Sequence, residues 1–287
     1  MANTRRSIIS ALEWAANNLK AAKKASPRLD AELILANLLG IERIQLYLNF
    51  EKTISDDEAR EYVSRVKRRE SGEPVAYITG AREFFSMVFS IKPGILIPRP
   101  ETECMVESAL AFLKGIEKPE VLDICTGCGN IAIAIASEIG SAKVIGIDIS
   151  TEAVELAAAN AIKNSVDDRT TFLNGDICFP VQGMRFDLII ANPPYIPTGM
   201  IKTLQPEISL FEPATALDGG ADGMDLIKRI IHESPGILKQ NGYLLCEMAE
   251  WMTADLEQFI SRENNWTDFR VGNDLSGRPR FISIRKA

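Results

Sequence analysis

The sequence predicts an α/β protein built around a mostly parallel, doubly wound sheet that ends in an antiparallel strand pair. Beyond residue 101, short apolar runs rich in β-branched residues alternate with helical stretches, which is typical of strands joined by crossover helices. The last two runs are separated only by Asn273–Gly277, a turn too short for a crossover, so they must pair antiparallel. Residues 1–80 show helical periodicity alone and predict a small helical bundle ahead of the sheet.

Composition and charge are those of a folded protein without membrane spans. The chain has 287 residues, of which 46% are hydrophobic and 25% charged, and its formal net charge is −7. Its apolar runs fall short of the roughly 20 residues of a membrane span, and residues 1–25 lack the apolar core of a signal peptide. We therefore expect a cytoplasmic protein with no membrane partner. Five cysteines without a secretory signal predict reduced thiols.

Three amphipathic helices are predicted in the N-terminal bundle. Their apolar positions are Ile8, Leu12, Ala15 and Leu19 in the first helix, Leu29, Leu33 and Ala36 in the second, and Ala59, Tyr62 or Val63, and Val66 in the third. Ser26 and Pro27 form the start of the second helix, and Gly40 marks its end. The third begins with the capping box formed by Ser55 and Glu58.

The N-terminal bundle differs in charge from the remainder of the chain. Residues 1–80 contain 13 basic and 11 acidic side chains, a net charge of +2, which leaves −9 for the rest. Much of the basic charge lies in the run Arg65–Arg69. This run is either a solvated helix face with pairs such as Glu61 and Arg65, or a patch that docks an acidic protein or RNA.

A β-hairpin is predicted between the bundle and the sheet. Apolar residues alternate strictly over Phe85–Ile91, and Lys92–Gly94 forms a turn into Ile95–Ile97. The predicted organisation is a helical domain at 1–80, a hairpin linker at 81–98 and a sheet domain at 99–287. The sheet strands are predicted at Val121–Cys125, Lys143–Ile149, Thr171–Leu173, Phe186–Ala191, Gly242–Met248, Thr267–Val271 and Arg280–Ile284, with helices near 130–139, 151–163, 222–238 and 252–262.

A glycine-rich stretch follows the first strand of the sheet and opens a helix. Such a turn allows a backbone to approach a nucleotide-like ligand closely, although a purely structural tight turn has the same pattern. The candidate cofactor-binding residues here are Asp123, Cys125, Thr126, Gly127, Cys128 and Gly129. The pair Cys125 and Cys128 also resembles a zinc or redox motif, but His232 is the chain's single histidine, so we expect no metal site.

Acidic residues follow the next two strands. Asp148 lies 21 residues after Gly127, where a carboxylate accepts hydrogen bonds from ribose hydroxyls. A helix N-cap is the structural alternative, although Ser150 is available for that role. After the third strand, Asp176 is placed to bind an adenine amino group, with Ile177 beside it. Together with the glycine loop, these positions predict an adenosine-containing cofactor.

The fourth strand is followed by Asn192, Pro193, Pro194 and Tyr195. Two prolines fix the backbone and remove two N–H donors, so the loop presents acceptors. The side-chain oxygen of Asn192 and the carbonyl of Pro193 can accept both hydrogens of a planar NH₂ group, and the Tyr195 ring offers a surface for stacking. This arrangement suits methyl transfer from S-adenosylmethionine to a nitrogen whose lone pair is delocalised, with Asn192 next to the cofactor.

These motifs resemble the Rossmann-like, S-adenosylmethionine-dependent methyltransferases that act on amino nitrogens, and in particular the PrmC/HemK family. The more specific stretches are Ile97–Glu103, Glu212–Gly223 and Asp30–Leu33. The resemblance implies methylation of the side-chain amide nitrogen (N5) of the glutamine in a Gly-Gly-Gln motif of peptide chain release factors, with S-adenosylhomocysteine as the cofactor product. It also implies that the N-terminal domain helps to dock the release factor and that the Asn192–Tyr195 loop receives the glutamine. In such enzymes the backbone of Thr126–Gly129 lies against the methionine part of the cofactor, and Asp148 holds the ribose.

Three stretches depart from the family pattern: Cys125, Glu247–Glu250, and Ser276–Arg280, which only loosely follows the family's Gly-Arg-Asp-Arg. Cys125 stands where the family usually has a glycine, and Glu247–Glu250 replaces a commoner stretch and receives no role.

Three other functions remain open. The first alternative is an adenine or guanine amino methyltransferase acting on DNA or RNA. Such an enzyme needs a basic surface, which residues 81–287, with their net charge of −9, lack. The second is a nicotinamide dehydrogenase, which leaves Asn192–Tyr195 unexplained, and the third is a non-catalytic binding module. We expect a monomer that does not bind nucleic acid directly.

Overall fold

The computed structural model describes residues 7–287, and these form two compact units. The first unit extends to Ala81 and includes the short segment Gln205–Phe211. The second comprises Arg82–Leu204 and Glu212–Ala287. The helical unit is therefore discontinuous in sequence, which the pattern of residues 1–80 does not predict.

The helices and strands alternate along the second unit as the sequence analysis expects. The α-helices are α1 (Ile8–Ala21), α2 (Pro27–Leu39), α3 (Arg43–Leu48), α4 (Asp56–Glu70), α5 (Val75–Thr79), α6 (Glu103–Leu113), α7 (Asn130–Glu138), α8 (Thr151–Lys163), α9 (Pro206–Ser209), α10 (Asp225–Glu233) and α11 (Thr253–Ile260). The strands are β1 (Ala81–Phe84), β2 (Met87–Ser90), β3 (Glu120–Ile124), β4 (Lys143–Asp148), β5 (Thr170–Asn174), β6 (Phe186–Ala191), β7 (Leu238–Glu247), β8 (Trp266–Asn273) and β9 (Pro279–Lys286). Among the described residues, no helix is long and apolar enough to cross a membrane.

The helical unit contains the three predicted helices and three short ones, α3, α5 and α9, which are too brief to show a period. The predicted apolar line of α1 and the Tyr62 and Val66 positions of α4 are buried in one core. The capping box of Ser55 and Glu58 and the left-handed Gly40 at the end of α2 are also present, so these predictions are confirmed.

The buried face of α2 differs from the prediction. Leu29 and Leu33 are about two-fifths exposed, whereas Ala31, Ile34 and Leu35 fill the core. The reason is electrostatic, because Asp30 and Glu32 point inward and bind buried or partly buried partners. Ala36, the third predicted position, is buried, so the apolar period misplaces Leu29 and Leu33 but not Ala36.

The basic run at the end of α4 is largely paired within the helical unit. Arg65 donates to Glu61 as predicted, and Arg68 donates to Glu73. Arg69 is buried at 4% exposure and binds both Asp30 and Glu207, with N–O distances of 2.7 and 2.6 Å. For these arginines the structure favours a helix face with local ion pairs over an open docking patch.

The structure contains a β-hairpin in the predicted linker, but the predicted strand positions are wrong. It consists of β1 and β2 joined by Phe85 and Ser86, which both adopt positive φ. Two-residue hairpin turns require this conformation and usually contain glycine or asparagine, so the sequence gives no turn signal here. Phe84 and Phe89 are the buried residues, and Ile95–Ile97 is not a strand.

The second unit is a seven-stranded sheet with the order β5-β4-β3-β6-β7-β9-β8. The first five of these strands are parallel, and β9 pairs antiparallel with both β7 and β8. The predicted fold class is therefore confirmed. The central strand β3 pairs with β4 through Leu122 and Ile145, and with β6 through Leu122 and Ile189. Because the chain moves from β3 toward one edge and then returns to its other side at β6, the strand order reverses between these two strands.

Some element ends differ from the sequence predictions. α10 ends at Glu233, and the residues Ser234–Gly236 form a 3₁₀ turn that contains Pro235. β7 begins at Leu238, four residues before the predicted Gly242. The helix α6, which packs beside the sheet, was not among the predicted elements.

Candidate active site

A cavity of about 670 Å³ opens where the strand order reverses, at the carboxyl ends of β3 to β6. Open α/β sheets bind ligands at this point, and pockets for small molecules have volumes of roughly 300–1,000 Å³. The predicted site residues that line it are Cys125, Thr126, Gly127, Cys128, Asp148, Asp176, Ile177, Asn192 and Pro194. Among the predicted residues, Asp123, Gly129, Pro193 and Tyr195 are outside this lining.

The glycine loop after β3 is fixed by its neighbours on both sides. Gly127 has a φ of +55°, and its N–H donates to Asp148 Oδ2 at 2.9 Å. A Cβ at Gly127 would meet no atom within 4 Å, so this face of the loop is open. Gly129 has a φ of +82°, and a Cβ there would lie 3.0 Å from the Cβ of Ala157. Gly127 therefore leaves room for a ligand, whereas Gly129 allows close packing on α8.

Asp123 supports the glycine loop from beneath. Its side chain is fully buried, and Oδ2 accepts hydrogen bonds from Thr126 Oγ1 at 2.6 Å and from the Ala132 N–H at 3.2 Å. Its Oδ1 is buried and has no hydrogen-bond partner. Burial raises the pKa of this carboxyl to about 7. Asp123 therefore fixes the loop from within the protein and does not itself face the cavity.

The two cysteines of the loop are unsuited to metal or redox chemistry. Burial raises the pKa of both thiols, to about 12 for Cys128, so both stay protonated at neutral pH. Within residues 7–287, the structure shows no group of three histidine, cysteine or carboxylate side chains arranged for a metal ion. Cys125 has a φ of +60°, a left-handed conformation that glycine adopts more readily than cysteine.

Asp148, at the end of β4, and Asp176, after β5, both line the cavity but have different hydrogen-bond partners. Asp148 is held by two backbone N–H groups, those of Gly127 at 2.9 Å and Ser150 at 3.0 Å. Ser150 caps α8, so Asp148 is free of that role. Asp176 forms a two-pronged ion pair with Arg229, with N–O distances of 2.8 and 3.3 Å. A ligand amino group that bound Asp176 would therefore share it with a guanidinium, a partner that sequence reasoning missed.

The Asn192–Tyr195 loop is supported by a second glycine-rich motif, the stretch Glu212–Gly223. Ile196 N–H donates to Leu217 O at 2.8 Å, and Gly219 N–H donates to Ile196 O at 2.9 Å. A Cβ at Gly219 would lie 2.8 Å from Pro194 O, and one at Gly223 would lie 2.4 Å from Tyr195 O. These glycines are required because two backbones run in contact.

A buried polar network lies behind the same loop, and the sequence analysis did not identify it. Glu247, at the end of β7, accepts hydrogen bonds from Thr102 Oγ1 at 2.6 Å and from Tyr195 Oη at 3.0 Å. Asn192 Nδ2 lies 3.5 Å from Thr102 Oγ1. Burial and the adjacent Glu247 raise the pKa of Tyr195, so its hydroxyl stays protonated and donates. The signal available in the sequence was a carboxylate at the end of a central strand.

A second buried carboxylate orients a cation at the cavity. Glu212 accepts from Arg99 at 2.6 Å and from the Ile97 N–H at 3.3 Å. Arg99 lines the cavity, so this pair places a guanidinium at its wall. Both residues lie in motifs that the sequence analysis quoted, but no role was assigned to either.

Comparisons with known proteins agree with this geometry. Residues 10–80 match the family model described as the PrmC N-terminal domain, and residues 106–214 match the methyltransferase small domain. The release factor glutamine methyltransferase of Geobacter sulfurreducens is 36% identical over 97% of this chain and 96% of its own length. That of Koribacter versatilis is 39% identical over 96% of this chain and 97% of its own. Among solved structures, the hMettl16 catalytic domain in complex with a MAT2A 3′UTR hairpin has a TM-score of 0.55 at 16% identity, and covers 81% of this chain and 82% of its own.

The sheet order, the cavity at the reversal point and the matched domain define an S-adenosylmethionine-dependent methyltransferase. Within that class, the chain belongs to the release factor glutamine methyltransferase family, because its relatives match at these identities over nearly their whole length. The resemblance identified from the motifs is thereby confirmed. The structural neighbour, at 16% identity, supports the fold alone.

Proposed function

We propose that the protein transfers a methyl group from S-adenosylmethionine to the N5 side-chain amide nitrogen of the glutamine in the Gly-Gly-Gln motif of peptide chain release factors. The observation that carries this proposal is the Asn192–Tyr195 loop, which follows β6 and presents Asn192 to the cavity. The relatives' shared name supports the release factor as substrate.

The residues around the cavity fit the cofactor. Gly127 leaves open space at the loop, and the Asp148 carboxylate lines the cavity, where it could accept hydrogen bonds from ribose hydroxyls. In our proposal, the backbone of Thr126–Gly129 holds the methionine part, and Asp176 with Ile177 holds the adenine. The cofactor supplies a methyl group on a positively charged sulfur.

The loop provides the two acceptors that an amide substrate needs. An amide nitrogen is a weak nucleophile because its lone pair is delocalised, so orientation and charge stabilisation must supply most of the rate. Asn192 Oδ1 and the carbonyl of Pro193 would each accept one N–H of the substrate amide. Both oxygens would also stabilise the positive charge that the nitrogen gains during attack. Tyr195 would cover one face of the amide plane.

The charge of the second part of the chain favours a protein substrate over a nucleic acid. Residues 81–287 carry a net charge of −9, and a surface for phosphates needs clustered lysine and arginine. Amino methylation of a DNA or RNA base is therefore treated as an alternative outcome of the test. The monomeric state, the absence of nucleic-acid binding and the cytoplasmic location stay predictions.

The test is a methyl-transfer assay with radiolabelled S-adenosylmethionine. The purified protein is incubated separately with a release factor, with the same factor carrying Gln→Glu in its Gly-Gly-Gln motif, and with DNA and RNA. We expect label only in the unsubstituted factor, at the motif glutamine. Label in the substituted factor would refute the assigned position, and label only in nucleic acid would refute the assigned substrate.

A further inference from the structure

The hydrogen bonds behind the Asn192–Tyr195 loop form a chain that begins at a buried carboxylate. Glu247 is 1% exposed, and its two oxygens lie 2.6 Å from Thr102 Oγ1 and 3.0 Å from Tyr195 Oη. Thr102 is fully buried, and its hydroxyl oxygen is also the partner of Asn192 Nδ2. The chain therefore connects the carboxylate to both side chains that flank the proposed substrate amide.

The chemistry of these groups fixes which one donates and which one accepts in each hydrogen bond of this series. An ionised carboxylate only accepts, and the hydroxyl of Thr102 has one hydrogen. That hydrogen is directed at Glu247, so the Thr102 oxygen can only accept from Asn192. Asn192 must then place its NH₂ group toward Thr102, which leaves Oδ1 facing the cavity.

The charge state of Glu247 depends on the groups that face it. Burial raises the pKa of Glu247, whereas the donors Thr102 and Tyr195, together with Arg280, lower it, and Glu101 raises it. Cys104 and Cys246 also lie in its field, and burial keeps both thiols neutral. Burial is the largest of these effects, so the pKa of Glu247 lies above its ordinary value. The ionised form nevertheless has two hydroxyl donors and one nearby arginine as partners.

A neutral amide in place of the Glu247 carboxylate would no longer fix the order of donors and acceptors from Asn192 through Thr102 to position 247. The NH₂ group of Gln at position 247 can donate to Thr102, whose hydroxyl is then free to donate to Asn192. The Asn192 amide would turn and place its NH₂ group against the substrate NH₂. Two donors would face each other, and the site would favour an oxygen at that point instead.

We propose that Glu247, acting through Thr102, is the positioning residue that fixes the orientation of the Asn192 amide and thereby makes the site select an NH₂ group over an oxygen. This inference rests on the proposed function and deepens it. Glu247 holds Tyr195 through its other oxygen, so one buried carboxylate orients two walls of the substrate site. Asn192 remains the residue that contacts the substrate.

The test combines two variants that break the chain with one that preserves it. Glu247→Gln no longer fixes the order of donors and acceptors, Thr102→Val removes the hydroxyl in a side chain of the same shape, and Thr102→Ser keeps the hydroxyl as the matched control. For each protein, loaded with S-adenosylhomocysteine, one measures the Kd for a release factor with the native glutamine and for the same factor with Gln→Glu. Single-turnover methylation, the Kd for S-adenosylmethionine and the Tm are measured in parallel.

We expect Glu247→Gln and Thr102→Val to lower the single-turnover rate by about 100-fold, the loss typical of one preorganised polar partner. We also expect the preference for glutamine over glutamate in the factor to fall by about tenfold or more, with cofactor affinity unchanged. Thr102→Ser should stay within about threefold of the wild type in both measurements.

Two results would overturn the inference. One is a Thr102→Val protein with wild-type rate and preference. The other is a slower enzyme whose preference for glutamine over glutamate is unchanged, which is the result of a purely structural role. If Glu247→Gln does not fold, Thr102→Val decides. Failure of the wild type to methylate any release factor would instead refute the proposed function.

Discussion

At the residue scale, the side chain of Asn192 links the fold to the proposed chemistry. It follows the last residue of β6 and lines the cavity, so its position is set by a buried central strand. Its Oδ1 is the side-chain acceptor of the proposed pair, and the second acceptor is the backbone carbonyl of Pro193.

We predict that Asn192→Ala lowers kcat by about 10²- to 10³-fold, since one preorganised electrostatic partner is lost. The Kd for S-adenosylmethionine should stay unchanged, because the glycine loop and Asp148 are intact. Single-turnover methylation of a release factor and calorimetric titration of the cofactor measure the two quantities. Asn17→Ala, at an exposed position of α1, serves as the control. A rate within about threefold of the wild type would refute the assigned role.

Asp123 leads to a prediction about stability and pH. Its pKa is near 4 in the unfolded chain and about 7 in the folded protein, because burial disfavours the charged form. The folded state then binds more protons between these values, so the free energy of unfolding falls as pH rises through this window. Asp123→Asn should remove on the order of 3 kcal/mol of this decrease.

Urea unfolding of both proteins without cofactor, at pH 5 and pH 8, measures the effect. The quantity of interest is the difference between wild type and variant, because Asp148 and Glu247 also have raised pKa values and contribute to both. Equal pH dependence in the two proteins would show that Asp123 ionises normally.

At the element scale, the loop after β6 depends on the motif that runs beside it. Gly219→Ala would place a Cβ 2.5 Å from Gly223 O and 2.8 Å from Pro194 O, which are backbone atoms that cannot move aside cheaply. We expect a loss of roughly 1–3 kcal/mol in stability together with a displaced Asn192–Tyr195 loop and a lower kcat. Gly140→Ala is the matched control, since its Cβ would meet nothing within 4 Å.

Thermal unfolding and single-turnover rates of the two variants test this prediction. A Gly219→Ala protein with the stability and rate of Gly140→Ala would show that the motif does not support the loop.

The elements also show what the sequence can and cannot predict. Strands β3 to β6 are predictable because parallel strands form short apolar runs rich in β-branched residues. Asp148, Asp176 and Asn192 are predictable site residues because they lie at or just after the carboxyl ends of β4, β5 and β6, which share one edge. The hairpin strands were misplaced because Phe85 and Ser86 adopt a turn conformation that their residue types do not indicate. The network of Thr102 and Glu247 joins residues 145 positions apart, a contact that only the folded sheet creates.

At the scale of the whole molecule, each compact unit is built from two stretches that are separate in the sequence. The segment Gln205–Phe211 lies in sequence between the two motifs of the site but belongs to the helical unit. Glu207 of that segment binds the buried Arg69, which also binds Asp30. These two ion pairs hold the segment Gln205–Phe211 against helices α2 and α4.

We predict that Arg69→Met lowers the free energy of unfolding of the helical unit by about 3–5 kcal/mol, because two carboxylates lose their buried partner. Hydrogen exchange of the α2 and α4 amides measures this unit directly. Arg60→Met is the control, since its ion pair with Asp57 is exposed and should contribute less than about 1 kcal/mol. Equal protection in the two variants would show that the ion pairs of Arg69 add no stability.

The central claim is that the acceptors after β6 hold an amide nitrogen in line with the cofactor methyl. The most direct measurement is the distance from the methyl carbon of bound S-adenosylmethionine to Asn192 Oδ1 in a crystal structure. A reacting nitrogen lies about 3–3.5 Å from the methyl carbon and about 3 Å from its acceptor, so we predict a separation of no more than about 6.5 Å. A methyl carbon well beyond that separation, with the loop ordered, would contradict the claim.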